Sequence, residues 1–126
     1  MKNFSIGFLA LLLSIPLYLL AHIEGTYEIK GTTPANIEYT GLLFIEKVGD
    51  AVFRAHWTFT SGISGTDEGT GVKKGNRISF VFLESEDISQ GIGTQLYKIN
   101  GDKLKGPWVL QGGTVSGFER AKKIEI

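Results

Sequence analysis

The amino-acid sequence predicts an all-β chain: an eight-stranded antiparallel up-and-down barrel behind an apolar N-terminal leader, expected to be a signal helix. Three observations carry this expectation. Apolar and polar residues alternate with period two along eight successive stretches. Glycine-centred turns separate most of them. After the leader no helical periodicity appears, and the connections are too short for parallel crossovers.

The leader comes first. Met1-Lys2-Asn3 supplies one positive charge, and Phe8 to Leu20 is apolar apart from Ser14 and Pro16. A charged start, a short apolar run and a small residue at Ala21 form the pattern of a secretory signal. Residues 1–21 are therefore expected to be removed, leaving His22 at the head of a domain spanning 22–126. The competing reading is an uncut membrane anchor, which would be the chain's one membrane contact. Against it, Ile6–Ala21 falls short of the ~20 residues a span needs. Export places the mature domain in a periplasm or outside the cell.

The strands follow in order. Glu24–Lys30 alternates Gly25, Tyr27 and Ile29 against Thr26, Glu28 and Lys30. Ile37–Lys47 aligns Tyr39, Gly41, Leu43 and Ile45, and Asp50–Thr60 aligns Phe53, Ala55, Trp57 and Phe59. Glu68–Lys73 is a glycine-rich strand, and Asn76–Glu84 stacks Ile78, Phe80 and Phe82. Ile92–Asn100, Asp102–Leu110 and Thr114–Lys122 complete the series. Val48-Gly49-Asp50, Lys74-Gly75-Asn76, Asn100-Gly101-Asp102 and Gln111-Gly112-Gly113 are hairpin turns, where glycine takes a positive φ without penalty. Longer connections are expected at Gly31–Asn36 and Glu84–Gln90. Closure would remove sticky sheet edges. A two-sheet sandwich of the same strands is the alternative fold.

Composition narrows the function. The chain has 126 residues, 13 basic against 13 acidic and no cysteine, which leaves one domain without disulfides or thiolate sites. Balanced, dispersed charge argues against nucleic acid or an anionic membrane as partner. With only His22 and His56 and no thiol, no metal site is expected, and no other cofactor. Asp67-Glu68 and Glu84-Ser85-Glu86-Asp87 read as solvated acidic turns, and His56 as solvent-exposed. No nucleophile elbow or phosphate-cradling loop is present, so an enzyme is not expected.

The alternation turns Tyr27, Tyr39, Phe53, Trp57, Phe59, Phe80, Phe82, Tyr97 and Trp108 inward, with Gly41, Gly69, Gly71, Gly106 and Gly117 facing them. Eight strands enclose either a filled interior or one small ligand. Both outcomes stay open: glycines seating rings in a solid core, or glycines bordering a cavity. Glu119 shares its face with Val115, Gly117 and Ala121 and so turns inward. A buried carboxylate requires partners, and tyrosine hydroxyls or an indole N–H are the candidates. It is either a structural tie or exposed rim residue, or the polar anchor of a ligand site. Leu42 and Phe44, with Val81 and Leu83, are apolar on the opposite faces, which a homo-oligomer, a partner protein or a packed loop would cover.

Gly25-Thr26-Tyr27 in the first strand and Arg120 in the last resemble the calycin barrels, the lipocalins, fatty-acid-binding proteins and avidins. That resemblance implies barrel closure by Gly25, Tyr27 and Arg120, the arginine lying across the ring at the closed end. Tyrosine stands here where those barrels often carry tryptophan. Nearly the whole mature chain also resembles small exported bacterial proteins, sometimes labelled fibronectin-binding. The match rests on Gly25-x-Tyr27, Thr33-Pro34, Tyr39-x-Gly41, Trp57, Gly69-x-Gly71, Tyr97, Leu104-x-Gly106-x-Trp108 and Gly112-Gly113 before Gly117-x-Glu119. Thr33 departs from the asparagine usual in that family.

Two functions are expected. In the leading one, an exported non-enzymatic barrel binds a small apolar or amphipathic molecule, or a protein, at its open end. Tyr39, Trp57, Phe59, Tyr97, Trp108 and Glu119 would line the site. In the other, an adhesion or envelope module presents its outer surface to a host or envelope protein around a filled interior.

Overall fold

A computed structural model describes residues 22–84 and 91–124 of the chain. The expected signal at 1–21 lies outside the described residues, as do most of the Glu84–Gln90 connection and the last two residues. The strands are β1 (Gly25–Thr32), β2 (Glu38–Gly49), β3 (Val52–Ser61), β4 (Thr66–Lys74), β5 (Arg77–Glu84), β6 (Ile92–Asn100), β7 (Lys103–Leu110) and β8 (Gly117–Lys123). Each pairs antiparallel with the next, and β1 pairs with β8 through Ile29↔Ala121 and Gly31↔Glu119. The sheet is a closed barrel in sequence order, so the sandwich alternative is excluded.

Most strand limits fall close to those expected, and β6 coincides with Ile92–Asn100. β8 differs most. It opens at Gly117, not Thr114, so 111–116 form a loop and Val115, 58% exposed, does not share the inward face of Glu119. The first hairpin also departs from expectation. Gly49 remains paired in β2, the register slips between Lys47 and Gly49, and the left-handed position falls on Ala51 (φ 57°). One extra residue on the β2 side makes a bulge, which moves the turn past the glycine. Gly75 and Gly101 take positive φ as expected.

The two ends of the barrel are unlike. The turns at 50–51, 75–76 and 101–102 lie at one end, together with His22 and Ile124. The longer links 33–37, 62–65 and 111–116 lie at the other. At the tight-turn end, Ile23 folds across the base and its carbonyl accepts a 2.7 Å hydrogen bond from the Tyr27 hydroxyl. Above it Tyr27, Ile29, Leu43, Ile78, Phe80 and Leu104 are almost wholly buried. This half is a solid core, and packing of that kind supplies most of the driving force for closure.

Inward glycines seat the rings. A Cβ at Gly71 would lie 2.5 Å from the Phe80 ring, one at Gly93 2.4 Å from Phe82, and one at Gly117 2.4 Å from Trp108. Each ring therefore lies against a bare stretch of neighbouring wall. On the outside, Phe44, Val81 and Leu83 are exposed as the alternation requires, and Ile92 on β6 pairs directly with Leu83.

The calycin-like closure is corrected in one residue. Arg120 is exposed, and its guanidinium lies 5.3 Å from the centroid of Phe118 on the outer face. Alternation puts Lys123 inward instead, with Nζ 5.6 Å from the Tyr27 ring centroid and bonded to the His22 carbonyl. Gly25 (φ 143°) opens β1 beside the Lys123 stem.

Candidate functional site

The loop end of the barrel is hollow. A cavity of ≈ 500 Å³ opens between the 33–35 and 63–65 links and descends to Glu119. That volume falls within the usual range for small-molecule sites. Its walls are rings from four strands: Tyr39 on β2, Trp57 and Phe59 on β3, Phe82 on β5 and Trp108 on β7. They meet edge-on, Tyr39 with Phe59 at 5.5 Å and with Trp108 at 6.3 Å between centroids. Trp57 meets Phe82 at 5.7 Å, and Phe82 meets Trp108 at 6.3 Å. Contacts of this kind hold rings in defined positions, so the wall is shaped before any guest arrives.

Glu119 forms the floor and is 2% exposed. Its ladder neighbours on both sides are glycines, Gly31 on β1 and Gly106 on β7. The backbone of Leu96 on β6 closes against Gly106, and the Tyr39 side chain occupies the space that Gly31 leaves. The Tyr39 hydroxyl donates to Oε1 at 2.8 Å, the Trp57 indole N–H to Oε2 at 3.1 Å, and the Tyr97 hydroxyl to Oε2. A Cβ on Gly31 would lie 2.5 Å from the Tyr39 hydroxyl, so that glycine lets Tyr39 reach its acceptor. Burial raises the Glu119 pKa, while the donations from Tyr97, Tyr39 and Trp57 oppose the rise. Burial, reinforced by Glu119, keeps both tyrosine hydroxyls protonated far above the ordinary phenol range. They act as fixed donors.

Five of the six expected lining residues, Tyr39, Trp57, Phe59, Trp108 and Glu119, border the cavity. Tyr97 does not. It is fully buried one layer nearer the closed end, packed on Phe80 with centroids 6.1 Å apart, and reaches the site through its hydroxyl, which donates to Glu119 and accepts from the Trp57 N–H at 3.1 Å. Glu119 is neither a rim residue nor unpaired: it is a tied carboxylate at the cavity floor.

Asp67, Glu84 and Gln95 also line the cavity. Asp67 is no solvated turn residue. β4 starts two residues earlier than expected, at Thr66, so Asp67 joins the inward series of Gly69 and Gly71 and stands opposite Trp57 and Glu84. Burial, with Glu84 and Glu119 adding repulsion, pushes its pKa up to about 7. Extending the alternation two residues backward would have exposed this. Gln95 lies on the same face as Tyr97, and its amide donates to the carbonyls of Gly106 at 3.1 Å and Pro107 at 3.2 Å. The β6–β7 ladder is interrupted there, where Pro107 has no N–H to offer. The buried Trp108 Nε1 makes no hydrogen bond. Among the described residues, no three metal-ligating side chains converge.

No family model matches the chain, and no curated protein matches it. Solved structures do match in shape. A redesigned β-barrel superposes with a TM-score of 0.71 at 10% identity, covering 82% of this chain and 92% of that one. The redesigned barrel mFAP0, bound to DFHBI, gives 0.67 at 10% identity over 80% and 98% of the two chains. A mutant of the fluorescent protein UnaG gives 0.50 at 10% identity over 82% and 96%. None of the three is named as an enzyme. At these identities the likeness is one of architecture: the chain is similar in fold to eight-stranded antiparallel barrels, one of which holds a small molecule.

Proposed function

We propose that the protein is an exported, non-enzymatic barrel that takes up a small apolar or amphipathic molecule through its loop end. One observation carries this reading. An aromatic-walled cavity of ≈ 500 Å³ narrows onto a buried carboxylate held by three donors. A mostly apolar wall with a few fixed polar groups is the usual composition of a small-molecule site. The bound DFHBI of mFAP0 supports it by analogy of fold. Export rests on the charged and apolar pattern of residues 1–21.

A second reading keeps a specific observation. Val81, Leu83, Ile92 and Leu96 are exposed together on the outer face of β5 and β6, a surface for a protein partner or a second copy.

The chain's two tryptophans, Trp57 and Trp108, both line the cavity, so intrinsic fluorescence reports on it directly. Titration with N-phenylnaphthylamine, a neutral apolar probe, is expected to change that emission saturably, with one equivalent bound. Val81→Asp and Leu83→Asp are expected to leave the titration intact. Loss of probe binding in those two variants would transfer the site to the outer face. An unsaturable response would remove it altogether.

A further inference from the structure

The cavity's charge is one-sided, and this deepens the proposed function, on which it rests. Three carboxylates, Asp67, Glu84 and Glu119, come from three different strands, and no lysine, arginine or histidine is among the lining residues. Around them stand five aromatic rings. We infer that the site selects an organic cation: an amine or quaternary ammonium group attached to an aromatic or alkyl body.

Two independent attractions favour such a guest. Ring faces draw a desolvated cation through the negative face of their quadrupole. Like-charged carboxylates beside one another in a poorly solvated space repel, and a cation between them removes that cost. Asp67 faces Glu84 across the β4–β5 ladder and interacts with Glu119 on β8, while its β3 neighbour Trp57 carries no charge. No basic group among the lining residues relieves the repulsion. A metal ion fits less well, because these carboxylates do not form a converging ligand set. An anionic amphiphile would bring further negative charge up to these carboxylates. The apolar volume between the rings accommodates the body of the guest, and the carboxylates accept from its ammonium hydrogens or face its methylated head.

The raised pKa of Asp67 adds a pH signature. Below it the site loses a negative charge while an alkylamine stays protonated, so affinity for the cation rises with pH through about 7. A neutral guest lacks that dependence.

The test compares phenylbutylamine, phenylbutanol and phenylbutanoate, which share one body and differ in head charge. Binding to the purified protein is followed by tryptophan fluorescence and by calorimetry. At about pH 8 the amine is expected to bind about tenfold more tightly than the alcohol, with the carboxylate weakest. Asp67→Asn should lower amine affinity and spare alcohol affinity. Glu84→Gln, a second change away from the buried floor, should act in the same direction. Equal or tighter binding of the alcohol or the carboxylate would overturn the cation preference and leave the cavity reading standing. Failure of all three to bind at about 5 mM, a limit near the weakest useful affinity, would overturn both.

Discussion

The two halves of this barrel share one sheet, one alternation and nearly the same aromatic content, yet one is packed solid and the other is hollow. Below the plane of Glu119, aliphatic side chains fill the space between rings: Ile29, Leu43, Ile78 and Leu104 are at most 1% exposed. Above it the inward positions carry rings and carboxylates, Phe59, Trp108, Asp67 and Glu84 among them, and all four are only partly buried. Rings held edge to edge against their neighbours line a wall, whereas branched aliphatics fill a volume. Carboxylates cannot pack against one another without a penalty. Connection length follows the same division, with two-residue turns under the solid half and longer links over the hollow one.

Side-chain truncation should separate the halves sharply. Phe80 is fully buried between Trp57 and Tyr97. Phe80→Ala should therefore cost about 3–5 kcal/mol, the range for emptying a large site that cannot collapse. Phe59 borders existing free space, so Phe59→Ala should cost about 1 kcal/mol, close to the general average for substitutions. Urea midpoints of the two variants check this. Equal losses would mean that the upper half is packed as tightly as the lower.

Much of this division is legible in the sequence. Alternation assigns eight strands and turns nine aromatic residues inward, and all nine are buried or half-buried. It also turns Glu119 inward, and that residue is the centre of the site. The failures have local physical causes. Period two says which face a residue occupies, not how far along the axis it stands, so the pattern makes Tyr97 and Tyr39 equivalent although only Tyr39 reaches the cavity. Strand ends are set by tertiary pairing. That pairing draws Asp67 into β4 and leaves Val115 in a loop. A solid and a hollow interior are alternatives only if the barrel is uniform, whereas this chain divides it along the axis. The cation over Tyr27 comes from Lys123 because a strand directs only alternate residues inward, and Arg120 is of the wrong parity.

At the boundary between the halves, Glu119 should show a graded response. Glu119→Leu leaves the Tyr39 and Tyr97 hydroxyls without the acceptor they share and removes one of two acceptors from the Trp57 N–H. Buried donors left unsatisfied cost about 1–3 kcal/mol each, so a loss of about 3 kcal/mol is expected. Glu119→Gln keeps one carbonyl oxygen for Trp57 and Tyr97 and presents its amide to the Tyr39 oxygen, which then accepts. Its loss should be about 1 kcal/mol. Chemical denaturation of both variants at one pH gives the ratio. A smaller loss for leucine than for glutamine would show that the floor is tolerant of apolar filling, like the solid half beneath it.

The smallest effect should come from the rim of the hollow half, and it should change with pH. The Asp67 pKa is raised from 3.8 to about 7 in the folded chain, first by burial and then by Glu84 and Glu119. A carboxyl whose folded pKa exceeds its unfolded value holds its proton more tightly when folded. Its stabilising contribution is complete below the unfolded value and is lost as pH rises through the folded one. The protein should therefore lose stability between about pH 4 and pH 7 from this group. Burial shifts Glu119 in the same direction. Asp67→Asn cannot ionise and escapes that part of the loss. Its thermal midpoint should match the parent in mild acid and exceed it by a few degrees in mild alkali. Melting curves across that range decide the point. A variant melting below the parent in alkali would mean that ionised Asp67 already has a cationic partner in the folded chain, and the carboxylates of the open half would then not be waiting for one.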